Sequence, residues 1–400
     1  MQNRAGHRDL QAAIRTFGAL LGLIVFALAG MACAADVPDV ASASAVVMDA
    51  STGAVLFEKD ADSPGPPANM GKLMTLDVVF RALKDGRVKF EDEYSVSQNA
   101  YKKGGDRSGT TTMFLPANSS ARVADLITGI AVASANDACI VLAEGLSGSE
   151  ASFIEAMTEQ GKRLGLTHSH FTNVTGLPDA DHVMSTRDLA LVAQDLITTY
   201  SDYYGYFAQR NFQVGSKLLL NKNPLLSLNI GFDGLKTGAT AGGGLGIVAS
   251  IQSEGRRLII VLNGARSESD RTADARKLAD WAFKSFKAAT IFDDGEVISE
   301  ARVWGGTRWF VPVLAKGEAQ ITVPRGAAQS IRLKASLVYQ GPLHAPVRKG
   351  DPVGYLRVES TEGGLVSRLP VYAGADIDKS SVLARGLDSL LIMSLGWVLR

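Results

Sequence analysis

Residues 66–75 read PPANMGKLMT, and the element they open decides how the rest of the chain is read. Two prolines close a loop. Leu73, Leu76, Phe80 and Leu83 then recur on one face until Asp85-Gly86 stops the run, which predicts a helix over about Met70–Lys84. Positions three apart share a helix face, so residue 69 stands beside Lys72. A hydroxyl at 69 would be an activated nucleophile, its proton taken by an amine whose pKa is lowered by burial or neighbouring charge. Asn69 stands there instead. Its amide nitrogen is delocalised into the carbonyl and does not attack.

Two later stretches complete a constellation. Ser134-Ala135-Asn136 sits between apolar helical runs; Ser134 is placed to relay a proton and Asn136 to orient a substrate amide. Lys236-Thr237-Gly238 reads as a strand edge, with Lys236 and Thr237 receiving a carboxylate and Gly238 allowing close approach. Taken singly, Lys72 reads as a solvated helix lysine, and Ser134 or Asn136 as a helix cap. Order and setting give them weight: helix start, inter-helix turn, strand edge. They are the parts of an S-x-x-K, S-x-N, K-T-G arrangement with its first residue changed.

The flanks set the fold class. SAVVMDASTGAVLFEKD is a β-hairpin turning at Asp49–Gly53, and the chain to Asp188 is mainly helical, with Ser185 or Thr186 capping the last helix. GIVASIQ and RRLIIVLNG form a second hairpin, and RTADARKLADWAFKSF a helix packed on it. A sheet drawn from both ends of a helical block is α+β. From about Ile291 only short strands follow, the pattern of a small β-sandwich or barrel. Over 378–400, Leu383, Leu387, Leu390, Leu391, Leu395 and Val398 share a face broken by Asp388, which favours a helix lying on a membrane surface over one packed on its own domain.

The 400 residues are 46% hydrophobic and 20% charged, with 41 basic and 41 acidic side chains, so there is no basic excess for a nucleic-acid partner. Arg4, Arg8 and Arg15, the apolar run Phe17–Met31 and Ala32-Cys33-Ala34 are expected to be a secretory leader cleaved after Ala34. Gly30 argues against lipid attachment at Cys33. Losing three Arg, one Asp and one Cys leaves 38 basic and 40 acidic residues and the single Cys139, so no internal disulfide forms. Cys139 lies in DACIVLAEG and reads as packing rather than as a nucleophile. His168 and His170, with His182 and Asp181 not far along the chain, read as a surface pair in a turn rather than as metal ligands, and no cofactor motif is complete. AGGGLG at 241–246 reads as a strand edge that a ligand backbone approaches.

The chain resembles the low-molecular-weight penicillin-binding proteins, serine-type D-alanyl-D-alanine carboxypeptidases. VVMDASTGAVLFEKDAD, KLMTLDVVFRALKDG, SANDACIVLAEG, LGLTHSHFTNVTGLPDADHVMSTRDLALVAQDLI and DGLKTGAT carry the likeness, continued by VWGG, VPRG and GPLHAPVRKGDPVGYL. The resemblance implies a leader at 1–34, a beta-lactamase/transpeptidase-like domain at 35–288, a small β-domain at 289–377 and an amphipathic helix at 378–400. It implies an exported, periplasmic protein attached peripherally to the inner membrane. Its ligands would be peptidoglycan stem peptides ending in D-Ala-D-Ala, with β-lactams bound non-covalently. The family's acylated serine falls at Asn69, and Gly71, Ala135 and Ala239 are further departures. The backbone N–H groups of 69 and 239 would form the oxyanion hole. No lysine has Ser, Thr or Cys three residues before it, so no shifted motif supplies the nucleophile. The expectation is an acylation-deficient member; a working carboxypeptidase and a non-catalytic scaffold are the alternatives.

Overall fold

The computed structural model describes residues 37–240, 243–315, 317, 319–325, 333–360 and 365–383. The expected leader and nearly all of the expected terminal helix lie outside them. The chain divides into two compact units after Thr290, and Gln320–Arg325 returns to the first.

The first unit is built on an antiparallel sheet in the order β2-β1-β5-β4-β3: β1 Ser44–Asp49, β2 Val55–Lys59, β3 Phe232–Thr240, β4 Gly244–Ser253 and β5 Arg256–Ala265. Its strands come from both ends of a helical block, as the α+β reading requires. Runs such as AVVM and LIIVL are apolar throughout because both sheet faces are covered. Val46, Met48, Val248, Ile259 and Val261 face the helical block. Ala45, Val47, Ile247, Ala249 and Ile260 pack on Ala275, Leu278, Ala279 and Ala282 of the helix Glu268–Ser285. Alternate strand residues point to opposite faces, so a two-sided sheet needs apolar residues at every position.

Helix α1, Lys72–Lys84, runs through the middle of the block. The sequence pattern marks one apolar face; in the structure only Arg81 and Lys84 escape burial. Phe80 explains part of this. Its ring lies 5.3–6.4 Å from those of Tyr200, Tyr203, Tyr206 and Phe207, mostly edge-on. Around α1 stand α2 (Val123–Thr128), α3 (Asn136–Ser147), α4 (Glu150–Leu164) and α5 (Thr186–Thr198). Ser185 caps α5 by accepting the Asp188 N–H, and Gly165 ends α4 in the left-handed conformation.

The second unit is all-β over its described residues as far as Ser381. Its sheet runs β8-β10-β11-β7-β6-β9: β6 Val297–Trp304, β7 Phe310–Ala315, β8 Leu333–Tyr339, β9 Leu343–His344, β10 Pro352–Ser360 and β11 Leu365–Ala373. Buried Val311, Val313 and Ala315 alternate with more exposed neighbours, the two-residue period of a one-sided sheet. The strand Ala319–Pro324 pairs instead with Phe286–Phe292. No described helix is long and apolar enough to cross a membrane.

Truncating Phe80→Ala opens the centre of the ring cluster and is expected to destabilise the first unit by about 3–5 kcal/mol. Urea denaturation measures this. A loss below about 1 kcal/mol would show that α1 is held elsewhere.

Candidate active site

Pro67 leads into a short 3-10 turn, Ala68–Gly71, which continues as α1. Lys72 is fully buried on the first turn. Its Nζ donates to Asn69 Oδ1 and to the Thr175 carbonyl, each at 2.5 Å. Thr75 Oγ1 donates to the Val174 carbonyl at 2.7 Å, fastening the same loop one turn on. That loop is pressed hard on the helix start. A Cβ on Gly176, which has φ +71°, would lie 1.9 Å from the Ala68 carbonyl oxygen. Glycine alone fits there.

Ser134 and Asn136 owe their positions to a turn that the sequence does not announce. After α2 the chain widens into a π turn, Gly129–Ala133, and leaves it with Ser134 in the left-handed region at φ 61°. Such turns recur at functional sites, and a non-glycine residue at positive φ is uncommon. Ser134 and Asn136 are both buried, and Ser134 Oγ accepts a hydrogen bond from Lys236 Nζ. Asn136 Oδ1 is buried without a partner. Neither side chain caps the start of α3: Ala135 holds its N-cap position, with no side-chain bond, while Ser134 closes the π turn through its backbone.

Strand β3 is the edge of the sheet, so alternate N–H groups of 236–240 point away from it. Lys236 and Thr237 are buried, while Ala239 is exposed. A Cβ on Gly238 would meet the Pro67 carbonyl at 2.9 Å, which sets the strand directly against the start of α1. Asn69, Lys72, Ser134, Asn136, Lys236, Thr237, Gly238 and Ala239 therefore converge from three elements. The hydrogen bonds pair them differently from the sequence reading: Ser134 is joined to Lys236, not to Lys72. The glycine-rich edge differs as well. A Cβ on Gly246 would lie 2.3 Å from Met70 Cε, so Met70, not a ligand, occupies that approach.

Burial sets the electrostatics. It lowers the Lys72 pKa to about 8, and that of Lys236 to about 7 because Lys236 also faces the Lys72 charge. Each ammonium is received by two oxygens, Lys72 by Asn69 Oδ1 and the Thr175 carbonyl, Lys236 by Ser134 Oγ and the Ala131 carbonyl. Cys139, buried on α3, has its thiol pushed up to about 12 by burial and is inert packing.

Residues 31–267 match the family described as D-alanyl-D-alanine carboxypeptidase, more than half of the chain. The chain belongs to this family. Residues 286–379 match the C-terminal domain of penicillin-binding protein 5. The D-alanyl-D-alanine carboxypeptidase DacC of Escherichia coli K12 is 34% identical over 365 residues, 90% of each chain. The structure of penicillin binding protein 5 from Haemophilus influenzae superposes with a TM-score of 0.71 at 30% identity, covering 86% of this chain and all of that one. Penicillin-binding protein D2 of Listeria monocytogenes, solved in its cefotaxime-bound form, matches at a TM-score of 0.56 and 27% identity, covering 62% of this chain and all of that one.

Two open hollows of about 460 and 490 Å³ lie away from the carboxypeptidase-family residues. In the first, Glu93 accepts from Ser120 and Arg122 donates to Asp125, so its charged groups are already satisfied. Convergent buried chemistry, not volume, locates the site. Among the described residues no three His, Cys, Asp or Glu side chains converge as metal ligands. His168 and His170 reach solvent, whereas His182 is buried. The sequence reading also missed the Val174 and Thr175 carbonyls and Gly176. The only signal for them was a glycine followed by a proline two residues on.

A lysine whose folded pKa lies below its unfolded value opposes folding while charged, and that opposition fades as pH rises through the folded pKa. Between about pH 7 and 9 the unfolded chain binds more protons, so stability rises with pH. Lys236→Met removes one such group. Its melting temperature is expected to change less across this range than the parent's; an unchanged pH slope would show that Lys236 does not titrate there.

Proposed function

We propose that this protein binds the D-Ala-D-Ala end of peptidoglycan stem peptides without being acylated by them. The observation that carries the reading is Asn69: its carboxamide stands at the start of α1 and receives the Lys72 ammonium. A lysine that donates to an acceptor is no base toward residue 69, and a carboxamide is no nucleophile, so the acylation step lacks its attacking atom. Binding groups remain. Lys236 and Thr237 would receive the ligand carboxylate. The unpartnered Asn136 Oδ1 would accept a ligand N–H. The N–H groups of residues 69 and 239 would polarise the carbonyl. β-Lactams would occupy the same cleft non-covalently. Periplasmic location and attachment to the inner-membrane surface through 378–400 belong to the proposal.

A second reading, a working carboxypeptidase, is favoured by the Ser134–Lys236 contact. There Lys236 donates to the Ser134 hydroxyl, and its neutral form, accessible because burial lowers its pKa to about 7, could take that hydroxyl's proton instead.

Incubating the protein and its Asn69→Ser variant with penicillin and reading intact mass separates the readings. We expect no adduct on the parent and a stable adduct on the variant, forming faster as pH rises through about 8, where Lys72 becomes neutral. An adduct on the parent, mapped to Ser134, would overturn the non-acylating reading in favour of the second. A D-Ala-D-Ala peptide should bind the parent, and Lys236→Ala should weaken that binding by tenfold or more, about 1.4 kcal/mol or above. Binding unaffected by this change would remove the cleft as the site.

A further inference from the structure

His182 is 2% exposed, in the segment that also carries Val174, Thr175 and Gly176. Its Nδ1 accepts the Thr172 backbone N–H at 3.1 Å, so the ring proton sits on Nε2. Burial holds the imidazole neutral, with a pKa of about 4. The Nε2–H is buried and has no partner. A buried donor left unpaired keeps its desolvation cost with nothing to offset it, so what it faces matters. It faces the first turn of the nucleophile helix: a Cβ built on Gly71 would lie 3.2 Å from Nε2 and 3.3 Å from Pro67 Cγ. Residue 71 is two positions from 69 and so lies off the cleft face of the helix. The Cβ contact is tight, so the imidazole must give by a few tenths of an ångström, and a hydroxyl one bond beyond that Cβ would then come within hydrogen-bond range of Nε2.

We propose that His182 is a positioning residue whose Nε2–H is built to donate to a side-chain oxygen at position 71. The tie would hold the segment bearing the Thr175 carbonyl, an acceptor of Lys72, against the start of α1. With Gly71 it is unmade, so acylation competence depends on residue 71 as well as 69. This dependence rests on the reading of Asn69; the tie itself does not.

The test uses Gly71→Ser and Gly71→Ala, alone and with His182→Phe or His182→Gln, in the parent and in Asn69→Ser. In the parent, serine at 71 should melt about 2–4 °C above alanine at 71, the effect of one hydrogen bond in a domain of this size. Glutamine at 182, which keeps a donor, should preserve that difference, and phenylalanine should abolish it. The imidazole Nε2–H should become visible and downfield by NMR when 71 is serine. In Asn69→Ser, adding Gly71→Ser should speed penicillin adduct formation about tenfold, a gain lost with His182→Phe. Equal melting for serine and alanine at 71, or a serine advantage that survives phenylalanine at 182, would overturn the tie. Coupled melting with no adduct in any Asn69→Ser variant would uphold the tie and sink the reading of Asn69.

Discussion

The site is organised by the need to hold two lysine side chains out of water within one cleft. Lys72 is fully buried on the first turn of a helix, where the peptide dipoles oppose a positive charge and no acidic residue compensates. Lys236 is buried in the same region and feels it. Everything nearby answers that constraint. The Thr175 carbonyl and Asn69 Oδ1 receive one ammonium, and Ser134 Oγ and the Ala131 carbonyl receive the other. Those acceptors come from a tight loop, a helix start and a π turn, so three local irregularities serve one electrostatic demand.

Glycines let the irregular pieces approach. Gly176 against Ala68, Gly238 against Pro67 and Gly246 against Met70 are contacts that any Cβ would break or strain. They bring the loop, the edge strand and its neighbour onto the same four residues, Pro67–Met70. The start of α1 is thus fixed from several sides before its side chains do anything.

This explains what was legible in the sequence. The start of α1, both hairpins, the strand carrying Lys236 and the Ser185 cap follow local rules of period and turn chemistry, and each lies where those rules put it. The π turn does not. GIAVA is apolar and featureless, and Ser134 takes a positive φ with neither glycine nor asparagine to signal it. The near-complete burial of α1 was hidden too: Lys72 taken alone reads as a solvated helix lysine, and its burial depends on segments distant in the chain. The burial of His182 gave no sequence signal for a related reason: burial of a turn residue is decided by what folds over it.

Whether such a cleft is a relic turns on energetics. Replacing buried ionic groups by apolar residues of similar volume is often neutral or stabilising, whereas leaving one unpaired costs about 3–5 kcal/mol. A site free to drift would therefore shed Lys72, Lys236 and the unpartnered Asn136 amide readily. This chain keeps all three, and at position 69 carries a residue that still supplies Lys72 with an oxygen. Alanine there would have taken away one of the two oxygens that receive the Lys72 ammonium, leaving it the Thr175 carbonyl alone. Asparagine keeps both oxygens on Lys72, which supports the proposed retention of a ligand-binding cleft.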